Sequence, residues 1–281
     1  MATLSGNLTL HRYKRTNKGY IEDLGDGVKL TLVLVPGGEF MMGAPKGEPG
    51  SSDDERPQRL VKVPPFLIGR YPVTQAQWRV VARYMQEKRE LSPDPSTFKG
   101  DDLPVESVNW HDATEFCQRL SAKTQKNYHL PSEAQWEYAC RAETTTAYHF
   151  GEQLTEEVAN YEFGDQLTEE VANYEGTVGR TTPVGRTTPV GQYPANRWGL
   201  YDMHGNVWEW CQDHGHSNYE GVPTDSSAWI EGGNSAVRIF RGGSWFNSPR
   251  LCRSACRADY EPSDGHYYIG FRVVCSAPRT L

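Results

Sequence analysis

Residues 241–274 read RGGSWFNSPRLCRSACRADYEPSDGHYYIGFRVV. Two regular ends enclose an irregular middle. Arg241-Gly242-Gly243-Ser244-Trp245 opens the stretch and Ile269-Gly270-Phe271-Arg272-Val273-Val274 closes it. Between them no helical or strand period can be followed. Aromatics, small residues, acids, a His and two Cys are mixed, and a Tyr-Tyr pair precedes the closing piece. A regular frame around a chemically mixed middle is how a binding loop on a rigid scaffold reads.

The rest of the chain bounds what such a loop can serve. Its 281 residues are enough for one large domain or two small ones. Hydrophobic content of 37% and charged content of 23% suit a folded protein, and 27 Gly with 18 Pro predict many turns. The net charge of -7 and the absence of any Lys/Arg run exclude the basic footprint of a nucleic-acid binder. No apolar run reaches membrane-spanning length, and the first residues lack the apolar core of a signal peptide. A cytoplasmic location is expected. The six Cys (117, 140, 211, 252, 256 and 275) form neither a CxxC pair nor zinc-type spacing, so reduced, buried thiols are expected.

In chain order, residues 1–28 are polar and expected to be peripheral. Val28 to Met42 reads as a strand, a turn at Pro36-Gly37-Gly38 and a second strand. Val61–Val63 and Phe66–Gly69 suggest another strand pair. Thr74 and Gln77 make a capping box, and Trp78, Val81, Ala82 and Met85 continue at helical spacing to about Arg89. A second helix is expected over 110–124, with Ala113, Phe116, Cys117 and Leu120 on its inner face. Ser132 and Gln135 repeat the capping box before a third helix. Phe150–Glu162 then recurs almost unchanged as Phe163–Glu175, and Val178–Pro183 recurs as Val184–Pro189. Two short copies are too few for a solenoid and are read as duplications tolerated in a surface loop. Gly199–Asp202 and Val207–Trp210 are expected as short extended pieces, 212–235 as a polar loop, and Arg238–Phe240 as a strand. His111, His129 and His204 show no metal or general-base spacing and are expected to be structural.

Seven segments in order, GGEFMMG (37–43), YPVTQAQW (71–78), PVESVNWHDATEFC (104–117), LPSEAQWEYACRA (130–142), WGLYDMHGNVWEW (198–210), RGGSW and GFRVV, resemble formylglycine-generating enzymes and their relatives. The resemblance covers about residues 30–275. It implies an α+β fold, C-type-lectin-like and of the sulfatase-modifying-factor kind, loop-rich, as one domain over 1–281. The family's enzymes oxidise a substrate cysteine with copper held by two thiolates just after the GGS motif, the soft ligands Cu(I) requires. Here Cys252 matches the second position, but Asn247 stands at the first and cannot supply a thiolate. Cys256 lies four residues further on and does not restore the spacing. No copper, no catalytic residue and no oxidase activity are expected. A formylglycine-generating-type oxidase is the alternative to the reading that follows.

The C-terminal stretch is also similar to variable proteins of diversity-generating retroelements, which use the same fold and carry a segment of the form RGGSW…NPR.CRSA.R…P…IGFRVV. On that resemblance Arg241–Trp245, Pro249, Arg250, Cys252–Ala255, Arg257, Pro262 and Ile269–Val274 are fixed. The replaceable, ligand-binding set is Phe246, Asn247, Ser248, Leu251, Cys256, Ala258, Asp259, Tyr260, Glu261, Ser263, Asp264, Gly265, His266, Tyr267 and Tyr268. Adenine-directed diversification of AAC codons yields NNC codons, which cannot encode Lys, Glu, Gln, Met or Trp. Glu261 alone lies outside the permitted set. Tyr, Ser, Gly and Asn are also what recognition loops use for contact area and adaptable hydrogen bonding, with Phe246, Tyr260, Tyr267 and Tyr268 as anchors. The expected function is non-enzymatic recognition of a variable ligand, a protein or another macromolecule. Finally, Asp202 to Glu209 can aim carboxylates and carbonyls at a hard cation. The resemblance assigns a structural calcium ion to the side chains of Asp202 and Glu209 and the carbonyls of Gly205 and Val207.

Overall fold

The computed structural model describes residues 17–154, 159–160 and 185–276. The second copy of the long repeat and most of the short one lie outside the described residues, so the surface-loop reading of the duplication does too.

The strands in chain order are β1 (Gly19–Gly25), β2 (Val28–Val35), β3 (Gly38–Met42), β4 (Arg59–Val63), β5 (Phe66–Gly69), β6 (Tyr128–His129), β7 (Trp208–Gly215), β8 (Asn234–Arg241), β9 (Arg257–Tyr260), β10 (Ile269–Gly270) and β11 (Val274–Ser276). Three helices join them: α1 (Gln75–Val81), α2 (Trp110–Thr124) and α3 (Glu133–Arg141). A five-stranded sheet runs in the order β1-β2-β5-β11-β6, a four-stranded sheet in the order β10-β7-β8-β9, and β3 pairs with β4 alone. The low helix content and short strands give the α+β, C-type-lectin-like architecture. No helix among the described residues is long and apolar enough to cross a membrane.

Each helix starts where its side chains can satisfy the free N–H groups of the first turn. Thr74, Asn109 and Ser132 each accept from the third residue of the helix that follows, completing three capping boxes. α1 ends at Val81, not near Arg89. The reason lies in α2. Glu115 accepts from the backbone N–H groups of Glu87, Lys88 and Arg89, and Arg119 donates to the carbonyls of Ala82, Tyr84 and Arg89. This buried pair captures the polar groups a longer α1 would have used internally, and Met85 is left 85% exposed.

Other departures share a cause: strand partners come from far along the chain. Residues 19–25 are not peripheral but form β1, antiparallel to β2, with Leu24 in the core. β2 does not fold back on β3; it lies between β1 and β5, and β3 pairs with β4 instead. The stretch 212–235 is shorter as a loop than expected, because β7 extends to Gly215.

The 241–274 stretch ties the two large sheets together. It leaves β8 at Arg241, returns as β9 antiparallel to β8, passes a loop, and pairs β10 in parallel with Trp208 and Glu209 of β7. It then enters the other sheet as β11 between β5 and β6. The middle thus holds a strand, β9, that its mixed residue types concealed. Phe271 packs on Phe116 (5.2 Å between ring centroids) and on Trp78, in the larger apolar cluster, while Val274 joins the second cluster.

Candidate ligand-binding face

The frame of the stretch is held by buried guanidinium groups, each of which needs a carboxylate to be tolerated away from water. Arg241 donates to Glu133 and Glu137 (2.6 Å each) and to the Ser254 carbonyl (2.7 Å). Arg257 grips both oxygens of Glu133 (2.8 and 2.7 Å). Arg253 grips Glu55 (2.8 and 2.6 Å), and Arg272 grips Glu209 (2.6 Å twice). Burial alone would raise the Glu133 carboxyl, but Arg257 and Arg241 outweigh it and hold it below the ordinary carboxylate range. The Gly-Gly pair is required by space and by backbone. Gly242 and Gly243 have φ of 102° and 71°, and a Cβ on Gly242 would lie 2.9 Å from the Trp136 ring. A Cβ on Gly243 would overlap Cys252 Sγ. His204 is structural as expected: its Nδ1 lies 2.7 Å from the Cys252 carbonyl, and its Nε2 accepts from His149 N–H.

The residues between these anchors face outward. Of the expected replaceable set, Phe246, Asp259, Tyr260, Glu261, Ser263, Gly265 and Tyr267 are exposed, and Asn247, Ser248, Leu251, Ala258, Asp264, His266 and Tyr268 are half-buried. Arg241–Trp245, Cys252–Ala255, Arg257 and Ile269–Val274, all expected as fixed, are buried. Cys256 is the exception. It is 3% exposed inside the larger core cluster, so it cannot be displayed. Its thiol is pushed up to about 12 by burial. Tyr, which an NNC codon permits, would overpack that site. The Cys256→Tyr variant is expected to lose about 1–3 kcal/mol in a denaturant titration, whereas Asp259→Tyr should lose little. Gly265 is exposed but crowded, since a Cβ there would lie 2.9 Å from the Ser107 carbonyl oxygen.

Exposed and half-buried rings of this face form a continuous aromatic strip that passes over the buried Trp245. Ring centroids link Phe98 to Trp245 (5.6 Å), Trp245 to Phe246 (5.4 Å), Phe246 to Tyr268 (5.7 Å), Tyr268 to His266 (5.1 Å) and His266 to Tyr260 (4.8 Å). Tyr267 adds a side contact to Trp245 at 5.8 Å. Phe246, Tyr260 and Tyr267 are 44%, 37% and 38% exposed. The loop beneath them is pinned by its backbone: Ser107 N–H donates to the His266 carbonyl (3.0 Å), Trp208 N–H to Tyr268 (2.9 Å), and the Asn109 amide to Ser263 (3.2 Å). Phe98 and the Glu106–Asn109 segment were missing from the sequence reading of this face. The only trace was the position of Phe98 in an aperiodic stretch between two helices.

Residues 27–277 match the family model described as the sulfatase-modifying factor enzyme 1-like domain. The chain belongs to this family. It is similar to "Serine/threonine-protein kinase pkn1" of Chlamydia caviae, at 29% identity over 90% of this chain. The chain spans about 40% of that kinase's length. Among solved structures it is similar to PvdO from Pseudomonas aeruginosa, with 30% identity, a TM-score of 0.76, and coverage of 94% of this chain and all of PvdO. It shares its fold with Treponema denticola variable protein 1, with 23% identity, a TM-score of 0.73, and coverage of 93% and 100%.

In this sulfatase-modifying-factor domain Asn247 and Cys252, the positions that the resemblance matches to copper-holding thiolates, are an amide and an enclosed thiol. Asn247 Oδ1 accepts from Trp208 Nε1 (2.7 Å) and from Ser244 Oγ (2.6 Å), so it is a structural acceptor. Cys252 is fully buried, and burial pushes its thiol well above the ordinary range, opposing the thiolate that copper needs. These residues do not fit a two-thiolate copper site. Reconstitution with Cu(I) under reducing conditions is expected to leave less than stoichiometric copper after desalting; one tightly held copper per chain, lost in Cys252→Ser, would restore the oxidase alternative. The calcium set fits no better. Both Glu209 oxygens are taken by Arg272 and by Trp136 Nε1 (2.7 Å), and the Gly205 carbonyl accepts from Val207 N–H (3.0 Å). Asp202 receives Gly191 N–H on one oxygen, and its other oxygen is buried without a partner. One unengaged Asp202 oxygen, even with the Val207 carbonyl, falls well short of the roughly six to eight oxygens calcium takes. Among the described residues no group of three or more His, Cys, Asp or Glu could hold a metal ion.

Proposed function

We propose that this chain is a non-enzymatic ligand-binding protein whose face from Phe246 to Tyr268 is diversified by a retroelement to recognise changing targets, a protein or another macromolecule. One observation carries the reading. The segment divides largely by burial as it divides by pattern: Arg241–Trp245, Cys252–Ala255, Arg257 and Ile269–Val274 are buried, with Arg241, Arg257 and Arg272 charge-paired. The replaceable residues other than Cys256 reach solvent, while Pro249, Arg250 and Pro262 of the fixed pattern lie at the surface with them. A surface varied by mutation must leave the fold intact whatever residue arrives, and a scaffold stapled by buried ion pairs below the loop meets that need. Rigid aromatics over a pinned backbone supply contact area at low ordering cost. The loss of one thiol and the burial of the other support recognition over oxidation.

The test is a display library with NNC codons at 246, 251, 258–260, 263, 264 and 266–268. Most members should fold, as judged by retained thermal transitions, and selection on unrelated protein baits should yield different binders from one library. Widespread loss of folding, or failure to enrich binders to any bait, would defeat the reading.

A further inference from the structure

A second surface lies outside the 246–268 segment, on the two-stranded β3–β4 ribbon. Its inner face is core: Met42, Val61 and Val63 are buried. Its outer face carries the cross-strand pairs Glu39↔Lys62 and Met41↔Leu60. Met41 and Leu60 are 44% and 55% exposed, an apolar pair directly opposite one another. The hydrogen-bond phase of the ribbon follows from one contact. Lys62 N–H donates away from β3, to the Thr224 carbonyl at 2.8 Å. In an antiparallel ladder its opposite residue, Glu39, must then turn both backbone groups away from β4, and so must Met41 two residues on.

The outer edge of β3 is closed at its two ends and open between them. Tyr138 OH donates to the Pro36 carbonyl (3.1 Å). At the other end Gly43 N–H donates to Glu137 (2.9 Å), and Arg141 donates to the Gly43 carbonyl (3.2 Å). Among the described residues nothing hydrogen-bonds the N–H and C=O groups of Glu39 and Met41. They border a cavity of about 410 Å³ whose other walls are Tyr138, Arg141, Glu143, Thr144 and Thr145. The Arg141 guanidinium is spent on Glu137, Gly43 and Thr146. The Glu39 carboxylate has no ion pair among the described residues, which leaves an acid at the mouth of the slot.

We propose that the β3 edge is a strand-addition site for a short extended peptide segment of a partner protein, apolar at alternate positions and carrying a basic side chain. Four backbone groups at Glu39 and Met41 supply a ladder for about three residues, Met41 and Leu60 supply an apolar shelf, and Glu39 supplies the complementary charge. The slot is bounded by α3 and the residues after it, which suits one strand better than the edge of another sheet. A longer exposed edge of this composition would invite self-pairing, and the closed ends limit that hazard.

The probe is the acetylated peptide Arg-Leu-Val-Lys-Val, the sequence this chain already pairs against the inner edge of β3. With the full chain, millimolar peptide is expected to slow amide exchange at Glu39 and Met41 by about tenfold while leaving the Phe246–Tyr268 loop unchanged. Met41→Pro, which deletes one outward donor at an edge position where proline is tolerated, should abolish the effect, and Glu39→Lys should weaken binding about fivefold through charge alone. Unchanged exchange with peptide, or binding that survives both variants, would overturn the proposal. So would a concentration-dependent dimer in sedimentation that Met41→Pro disperses, since a second copy would then be the occupant.

Discussion

Glu133→Ala is expected to be the most damaging single substitution outside the apolar core. Glu133 accepts from Arg241, from Arg257 through both oxygens, and from Tyr219 OH at 3.0 Å, and all four side chains are buried. Removing the carboxylate leaves the buried Arg257 without its carboxylate partner and Arg241 with Glu137 alone, which Arg141 also engages. Breaking a buried pair from one side costs about 3–5 kcal/mol. For a chain of this size each kcal/mol moves the melting temperature by roughly 2–4 °C, so a fall of about 6–20 °C is expected by calorimetry. Asp94→Ala is the control. Its partner Lys99 is at 2.9 Å and both side chains are about half exposed, so less than about 1 kcal/mol should be lost. Equal effects from the two variants would mean that the buried carboxylate does not anchor the stretch.

The opposite outcome is expected for the aromatic strip. Phe246→Ala, Tyr260→Ala and Tyr267→Ala should each change stability by no more than about 1 kcal/mol, because these rings are more than a third exposed and pack on neighbouring rings of the same strip. Binding should respond strongly. Against a ligand selected on the wild-type face, at least one of the three should cost about 2 kcal/mol or more, near thirtyfold in affinity by titration calorimetry. Phe98→Ala should weaken the same complex although it lies outside the replaceable segment, because its ring abuts Trp245 at 5.6 Å. Stability losses like that of Glu133→Ala would place the aromatics in the core and remove the recognition face.

The two predictions bear on different parts of one stretch, and burial follows the division read from the sequence only in part, departing from it at Cys256, Pro249, Arg250 and Pro262. Capping boxes at Thr74 and Ser132 and the apolar stripe of α2 were legible because they depend on neighbours three or four residues away. The early end of α1 was not, because Glu115 and Arg119, about thirty residues further on, draw off its backbone groups. β9 was hidden for a related reason: its register is set by pairing with β8, and its own Arg-Ala-Asp-Tyr carries no alternation worth reading. Cys256 met the codon rule, yet its place in the core depends on distant segments gathering into the larger apolar cluster.

By itself, the sequence determined that Arg241–Trp245 and Ile269–Val274 form a frame, that one of two thiol positions is an amide, and that the residues between are suited to contact. Only the tertiary structure decided what holds the frame. Glu133, Glu137, Glu55 and Glu209 reach it from 63 to 198 positions away in the chain, and no local pattern marks a glutamate as the partner of a particular arginine. It also withdrew Cys256 from the replaceable face, crowded Gly265 and added Phe98. The physical reason is common to all of these. Backbone capping and periodicity act over one or two turns, whereas burial of a charge or a ring depends on which distant segments the fold brings within contact.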